Sequence, residues 1–137
     1  YHTLGMFVLS AVLGRVVAKG GSQKVSITGG FILLISCICA LNTSDIVILH
    51  LSLFLLGLGW NFNFVSISSE ISKYSIEKNT NLNIKSDSFV FVGSVFAQSS
   101  LGLTYTLIGF EGLVIFGTLA AIFLLFNLVR LSSKLLT

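Results

Sequence analysis

The stretch LGLGWNFNF, residues 56–64, places Asn61 and Asn63 beside Trp60 in the middle of a long apolar run. A helix through it sets Asn61 about one turn from Gly57 and Phe64 and about two turns from Phe54 and Ser68, so small, polar and aromatic groups share a face. An asparagine buried without a partner costs on the order of 2 kcal/mol or more, so both amides must meet other helices or water. Two chemistries follow. The amides can hydrogen-bond between helices, or they can line a water-filled substrate cavity. Gln98, near the middle of another apolar run, has the same need for a partner. Phe91, Ser94 or Val95, Leu101 or Gly102, and Tyr105 recur with it at helical spacing. Gly57 and Gly59 allow a neighbouring backbone to come close, and Ser10 with Gly14 forms a second small-xxx-small pair suited to helix packing.

Other reactive side chains offer less. Cys37 and Cys39 are two apart, so a helix points them to different sides and they cannot bridge each other. No CxxC, HExxH or paired His/Cys cluster occurs, so no metal and no cofactor is expected. No nucleophile sits beside a base and no acid pair is present, which argues against an enzyme. His2 and His50 fall near the ends of apolar runs, where solvated histidines are common.

The elements that position these residues follow from composition. The chain is 54% hydrophobic and 9% charged, with 12 phenylalanines and no proline, far from the quarter or so of charged residues in soluble proteins. Its charges cluster between apolar stretches of about 17 to 22 residues, long enough for a helix to cross a bilayer. Those stretches are apolar all round, without the alternation of a membrane β-barrel or the charged face of a soluble helix. The expected fold is therefore all-α: a polytopic bundle of five transmembrane helices, at about 1–17, 25–41, 46–67, 89–108 and 112–129, in one domain covering 1–137.

All 8 basic residues fall on one side of this arrangement. Arg15, Lys19 and Lys24 follow the first span, Lys73, Lys78 and Lys85 the third, and Arg130 and Lys134 the fifth. The opposite turns hold only Asp45 and Glu111. The positive-inside rule then makes 18–24 and 68–88 cytoplasmic loops, puts the C-terminus in the cytoplasm and the chain start outside, and implies a multi-pass protein of the plasma membrane. The first span is short and opens on Tyr1 without a basic flank, so the chain is expected to be the end of something longer. A signal peptide would carry its charge before the apolar run, not after it.

The opening HTLGMFVLSAVLGRVV, the basic turn KGGSQK and the LLGLGWNFNFV helix together resemble the carboxyl-terminal half of major facilitator superfamily permeases. The similarity is to a group with a GMF segment, a short basic loop and a GxGWNFxF helix, and it covers essentially the whole chain. It implies that the five spans are helices eight to twelve of a twelve-helix carrier working by alternating access. The implied partners are the lipid bilayer, a small-molecule substrate and the missing N-terminal half of the same polypeptide, with no nucleic acid. On this resemblance Trp60, Asn61, Phe64 and Gln98 are the expected substrate-binding residues, and Ser10, Gly14, Gly57 and Gly59 the packing residues. In the superfamily's loop pattern Gly14, Val16, Lys19 and Gly21 fit, while Ala18 stands where an acid usually does.

No Asp, Glu, Lys or Arg lies mid-span, so a proton-coupling group would belong to the missing half, unless the protein is a uniporter. The stretch EISKYSIEKNTNLNIKSDS, 70–88, reads as a solvated connector. Asn42-Thr43-Ser44 meets the glycosylation pattern by chance in a turn that hugs the membrane, and Thr43, Ser44 or Asp45 caps the third span. The alternative to a permease is a small non-transporting helical membrane protein that oligomerises or anchors a partner.

Overall fold

Without proline and with apolar runs that never alternate, the chain has few places to stop a helix. The computed structural model describes residues 1–42 and 45–135, with side chains at all of these except 11, 20 and 132–135. These residues form five helices and no strand: α1 (His2–Phe7), α2 (Ser10–Gly20), α3 (Ser22–Leu41), α4 (Ile46–Glu77) and α5 (Leu82–Leu135). Helices α3, α4 and α5 are each long and apolar enough to cross a membrane.

Each interruption has a local cause. Leu9 leaves helical geometry at φ −107°, ψ 2°, and the Ser10 hydroxyl donates to the Phe7 carbonyl at 2.9 Å, occupying an acceptor at the break. Gly21 (φ 83°) turns the chain from α2 into α3. Asn42 closes α3 by donating from Nδ2 to the Ile38 carbonyl at 2.8 Å. Asp45 caps α4, accepting from the Val47 amide at 2.7 Å; Thr43 and Ser44 lie outside the described residues. Gly109 (φ 69°, ψ −175°) divides α5 into two arms. Both ends of α5 return to the same end of α4: Asn83 and Asp87 from the first arm and Leu128 and Leu131 from the second line cavities that Ile71 also borders. The glycine is therefore a reversal, and α5 is a hairpin of two helices.

The stretch 70–88, read from sequence as a connector, is helical except at 78–81. Nothing in EISKYSIE breaks a helix, so α4 runs on to 32 residues, a length of about 48 Å against about 30 Å of hydrocarbon. A turn then closes it, with the Thr80 amide donating to the Ser75 carbonyl at 3.0 Å and Asn79 at φ 48°.

The interior is the reverse of a soluble core. Ser22, Ser26, Ser36, Ser52, Asn61, Asn63, Ser66 and Ser75 are buried, whereas Phe31, Ile38, Leu51, Phe96, Phe116 and Phe123 are exposed. Small and polar residues inside with bulky apolar ones outside is the pattern of helices associating in lipid, where close backbone approach replaces hydrophobic collapse. Helix α3 runs antiparallel to α4, and α1 parallel to it. A Cβ on Gly57 would run into the His2 carbonyl oxygen, and one on Gly59 would fall 2.9 Å from the Gly29 carbonyl oxygen. Gly14 faces open space, and the close approach of the N-terminal helix to α4 is made at Gly5 instead, whose Cβ would meet the Phe54 carbonyl. A small apolar cluster of Leu13, Val17 and Val25, flanked by Leu9, Phe62 and Val65, ties α2 to both α3 and α4.

Gly57→Ala forces a methyl into the α1 backbone and is expected to lower stability by about 1–3 kcal/mol. Gly14→Ala meets nothing and, by helix propensity, is expected to be neutral or to stabilise by up to about 1 kcal/mol. Thermal unfolding of the two variants in detergent, in the intact protein, checks the pair; equal midpoints would refute the α1–α4 contact.

Candidate functional site

Helix α4 presents two polar faces, and their states differ. Ser52, Gly59, Asn63, Ser66 and Glu70 recur at helical spacing toward α3. Along this seam Ser36 and Ser52 exchange hydrogen bonds, each hydroxyl donating to the other's backbone carbonyl at 2.8 and 3.0 Å. The Ser26 hydroxyl donates to Asn63 Oδ1 at 2.8 Å, and Asn63 Nδ2 donates to the Gly59 carbonyl at 3.0 Å. At the end of the seam the Ser22 hydroxyl donates to the Glu70 carboxylate. Asn63 is thus a packing residue whose amide is satisfied on both its oxygen and its nitrogen. Its partner was not evident from sequence, although the spacing of Ser22, Ser26 and Gly29 on α3 was the available signal.

The second face carries Gly57, Asn61, Phe64 and Ser68. Asn61 is 3% exposed, yet its Nδ2 has no hydrogen-bond partner. One turn beyond Gly57, which abuts His2 and Met6, Asn61 stands level with the interruption between α1 and α2. Trp60 and Phe64 flank it: their rings stack at 4.8 Å with an interplanar angle of 9°, and each is a little over a third exposed. The structure therefore brings three of the four expected binding residues together, as a buried amide donor beside a two-ring aromatic surface. Gln98 lies on the exposed first arm of α5, and no hydrogen bond or ring contact joins it to the other three.

The remaining polar groups sit at the two ends of the bundle. The Tyr1 and His50 rings meet at 4.5 Å, and His2 Nδ1 lies 3.4 Å from the Leu53 carbonyl oxygen. Cys37 and Cys39 are free thiols, the first buried. At the opposite end a cavity of 440 Å³ opens between the start of α3, α4 and the second arm of α5, lined by Ser22, Gln23, Glu70, Leu128 and Leu131 among others. The Ser22 hydrogen bond holds the Glu70 carboxyl below its ordinary value; partial burial opposes this, and Lys73, 3.3 Å away, adds a smaller lowering.

A membrane-embedded helical bundle is what these features define; among the described residues two buried amide donors lack a partner, Asn61 Nδ2 in mid-helix and Gln23 Nε2 at the cavity by the start of α3. Among known proteins, the chain is 26% identical over 99 residues to the riboflavin transporter RfnT of Brucella anthropi. The match covers 72% of this chain but only 25% of the transporter, so it spans about a quarter of that relative's length. No family model matches the chain, and no solved structure matches it.

Asn63→Ala strands the Ser26 hydroxyl in the seam and is expected to cost about 1–3 kcal/mol of stability. Asn61→Ala removes an amide donor that has no partner and is expected to cost clearly less. Denaturation of both variants in detergent distinguishes the two faces, and equal losses would mean that Asn61 is bonded after all. Glu70 gives a pH signature. A carboxyl with a depressed folded value contributes its stability above its unfolded value and loses it as pH falls through the folded one. The gap in unfolding midpoint between the wild type and Ser22→Ala is therefore expected at neutral pH and should shrink in acid below the carboxylate range; a gap independent of pH would refute the link.

Proposed function

We propose that the chain is part of a secondary-active transporter of the major facilitator superfamily, from its carboxyl-terminal half, helices eight to twelve. On this reading the chain moves a small solute across the plasma membrane by alternating access, with its C-terminus in the cytoplasm and the N-terminal half of the same polypeptide completing the site. The similarity to a transporter supports the class. The observation that carries the reading is Asn61: a nearly fully buried amide whose donor is unused, in mid-helix and beside a stacked aromatic pair. A purely structural asparagine would be bonded as Asn63 is. An amide held ready beside an aromatic surface suits a planar solute with polar edges, so riboflavin is the solute to test first. The spans carry no charged group at mid-membrane, so on this reading a coupling group belongs to the other half, or the protein is a uniporter.

The intact protein reconstituted in proteoliposomes provides the test. Asn61→Ala is expected to reduce kcat/KM for riboflavin uptake by about tenfold or more, the effect of one hydrogen bond to a desolvated partner. Uptake equal to the wild type in that variant would sink the assignment of Asn61.

A further inference from the structure

The face of α4 that carries Asn61 does not stop at mid-helix. Phe64, Ser68 and Ser72 continue it at intervals of three or four residues and lead into a cavity of 320 Å³ in the elbow between α4 and the first arm of α5. Phe64 forms one wall, and its ring is the outer member of the stack that begins at Trp60. Ser68, Ser72, Asn83, Ser86 and Asp87 supply the polar lining. None of these five side chains has a protein hydrogen-bond partner among the described residues, whereas most other serines of the chain donate to a carbonyl or to another side chain. Three hydroxyls, one amide and one carboxylate thus converge on a space at the lower end of the range for small-molecule sites.

Resting on the permease reading above, we propose that this elbow cavity is a second solute station at the cytoplasmic mouth of the pathway, and that it recognises the neutral polyhydroxylated part of the solute. The inventory of groups selects that chemistry. A polyol offers each hydroxyl as both donor and acceptor, matching a lining that holds serine and amide donors together with amide and carboxylate acceptors. An ammonium ligand would use Asp87 but leave the Asn83 N–H groups idle. An anionic ligand, such as the phosphate ester of the same solute, would face Asp87 with no cation in the lining; Lys85 borders a different cavity, with Glu70 and Tyr74. Phe64 gives the carbon face of the polyol an apolar surface and links the station to Asn61 along a single helix face.

The experiment uses the intact protein in proteoliposomes of defined orientation, with riboflavin and riboflavin 5′-phosphate as probes. Asn83→Leu is expected to raise the half-saturating riboflavin concentration about tenfold from the cytoplasmic side, as loss of paired polar contacts does, and to leave the outer-side value unchanged. The wild type is expected to reject the phosphate ester and Asp87→Asn to admit it. A third variant avoids any question of misfolding: alkylation of Ser72→Cys is expected to slow when riboflavin saturates the site. Wild-type riboflavin exchange combined with unaltered side preference, continued rejection of the ester and unprotected Ser72→Cys would overturn the station while leaving the permease reading standing. A wild type that moves no riboflavin would overturn this proposal at its base.

Discussion

Hydrocarbon offers helices no hydrophobic reason to associate, because the tails around them are as apolar as their own leucines. The contact between α3 and α4 follows from that constraint. Helices α3 and α4 adhere where Gly29 and Gly59 bring their backbones within reach, and the same closeness sets the seam of Ser36–Ser52, Ser26–Asn63 and Ser22–Glu70. Each hydrogen bond depends on the glycine contact, since a serine hydroxyl extends little beyond its own Cβ. The bonds in turn fix the register, because a slide of either helix would strand several polar groups at once. The seam is polar yet costs little to bury, as nearly all of its donors are used.

That saturation gives Asn61 its meaning. The same helix engages Asn63 at both its oxygen and its nitrogen and leaves the Asn61 donor open two residues away, on a face rotated by about 200°. Besides Asn61 Nδ2, only Gln23 Nε2, at the cavity by the start of α3, is a buried side-chain donor without a partner among the described residues, so Asn61 is the one that lies in mid-helix. The unpaired donor stands level with the interruption of the N-terminal helix pair, and the aromatic pair stands at its side. Polarity is thereby divided around one helix: α3 takes the first face, whereas the second meets α1 at Gly57 and leaves the Asn61 donor unused.

The sequence made the helical class legible because its apolar runs lack both the alternation of strands and the polar face of soluble helices. The need of Asn61 and Asn63 for company was equally plain, since amides in apolar runs have few alternatives. Which of the two was bonded was not, because Ser26 lies 37 residues from Asn63 and only the antiparallel register of α3 on α4 joins them. The stretch 70–77 looked like a connector from its charges alone, but charge excludes a segment from lipid without unwinding it, and a segment lacking glycine and proline keeps its helix. The elbow cavity depends on that continuation: Ser72 reaches Asn83 and Asp87 only because α4 holds its direction beyond the apolar span.

The first arm of α5 shows how the same constraint acts along an exposed stretch of helix. Ser94, Ser100, Thr104 and Thr106 return their hydroxyls to carbonyls of their own helix, the usual refuge of a small polar group in lipid. Gln98 makes no such bond and remains exposed. Its face also carries Gly102 and Tyr105, small and aromatic like the face of Asn61, so it suits protein or water better than acyl chains.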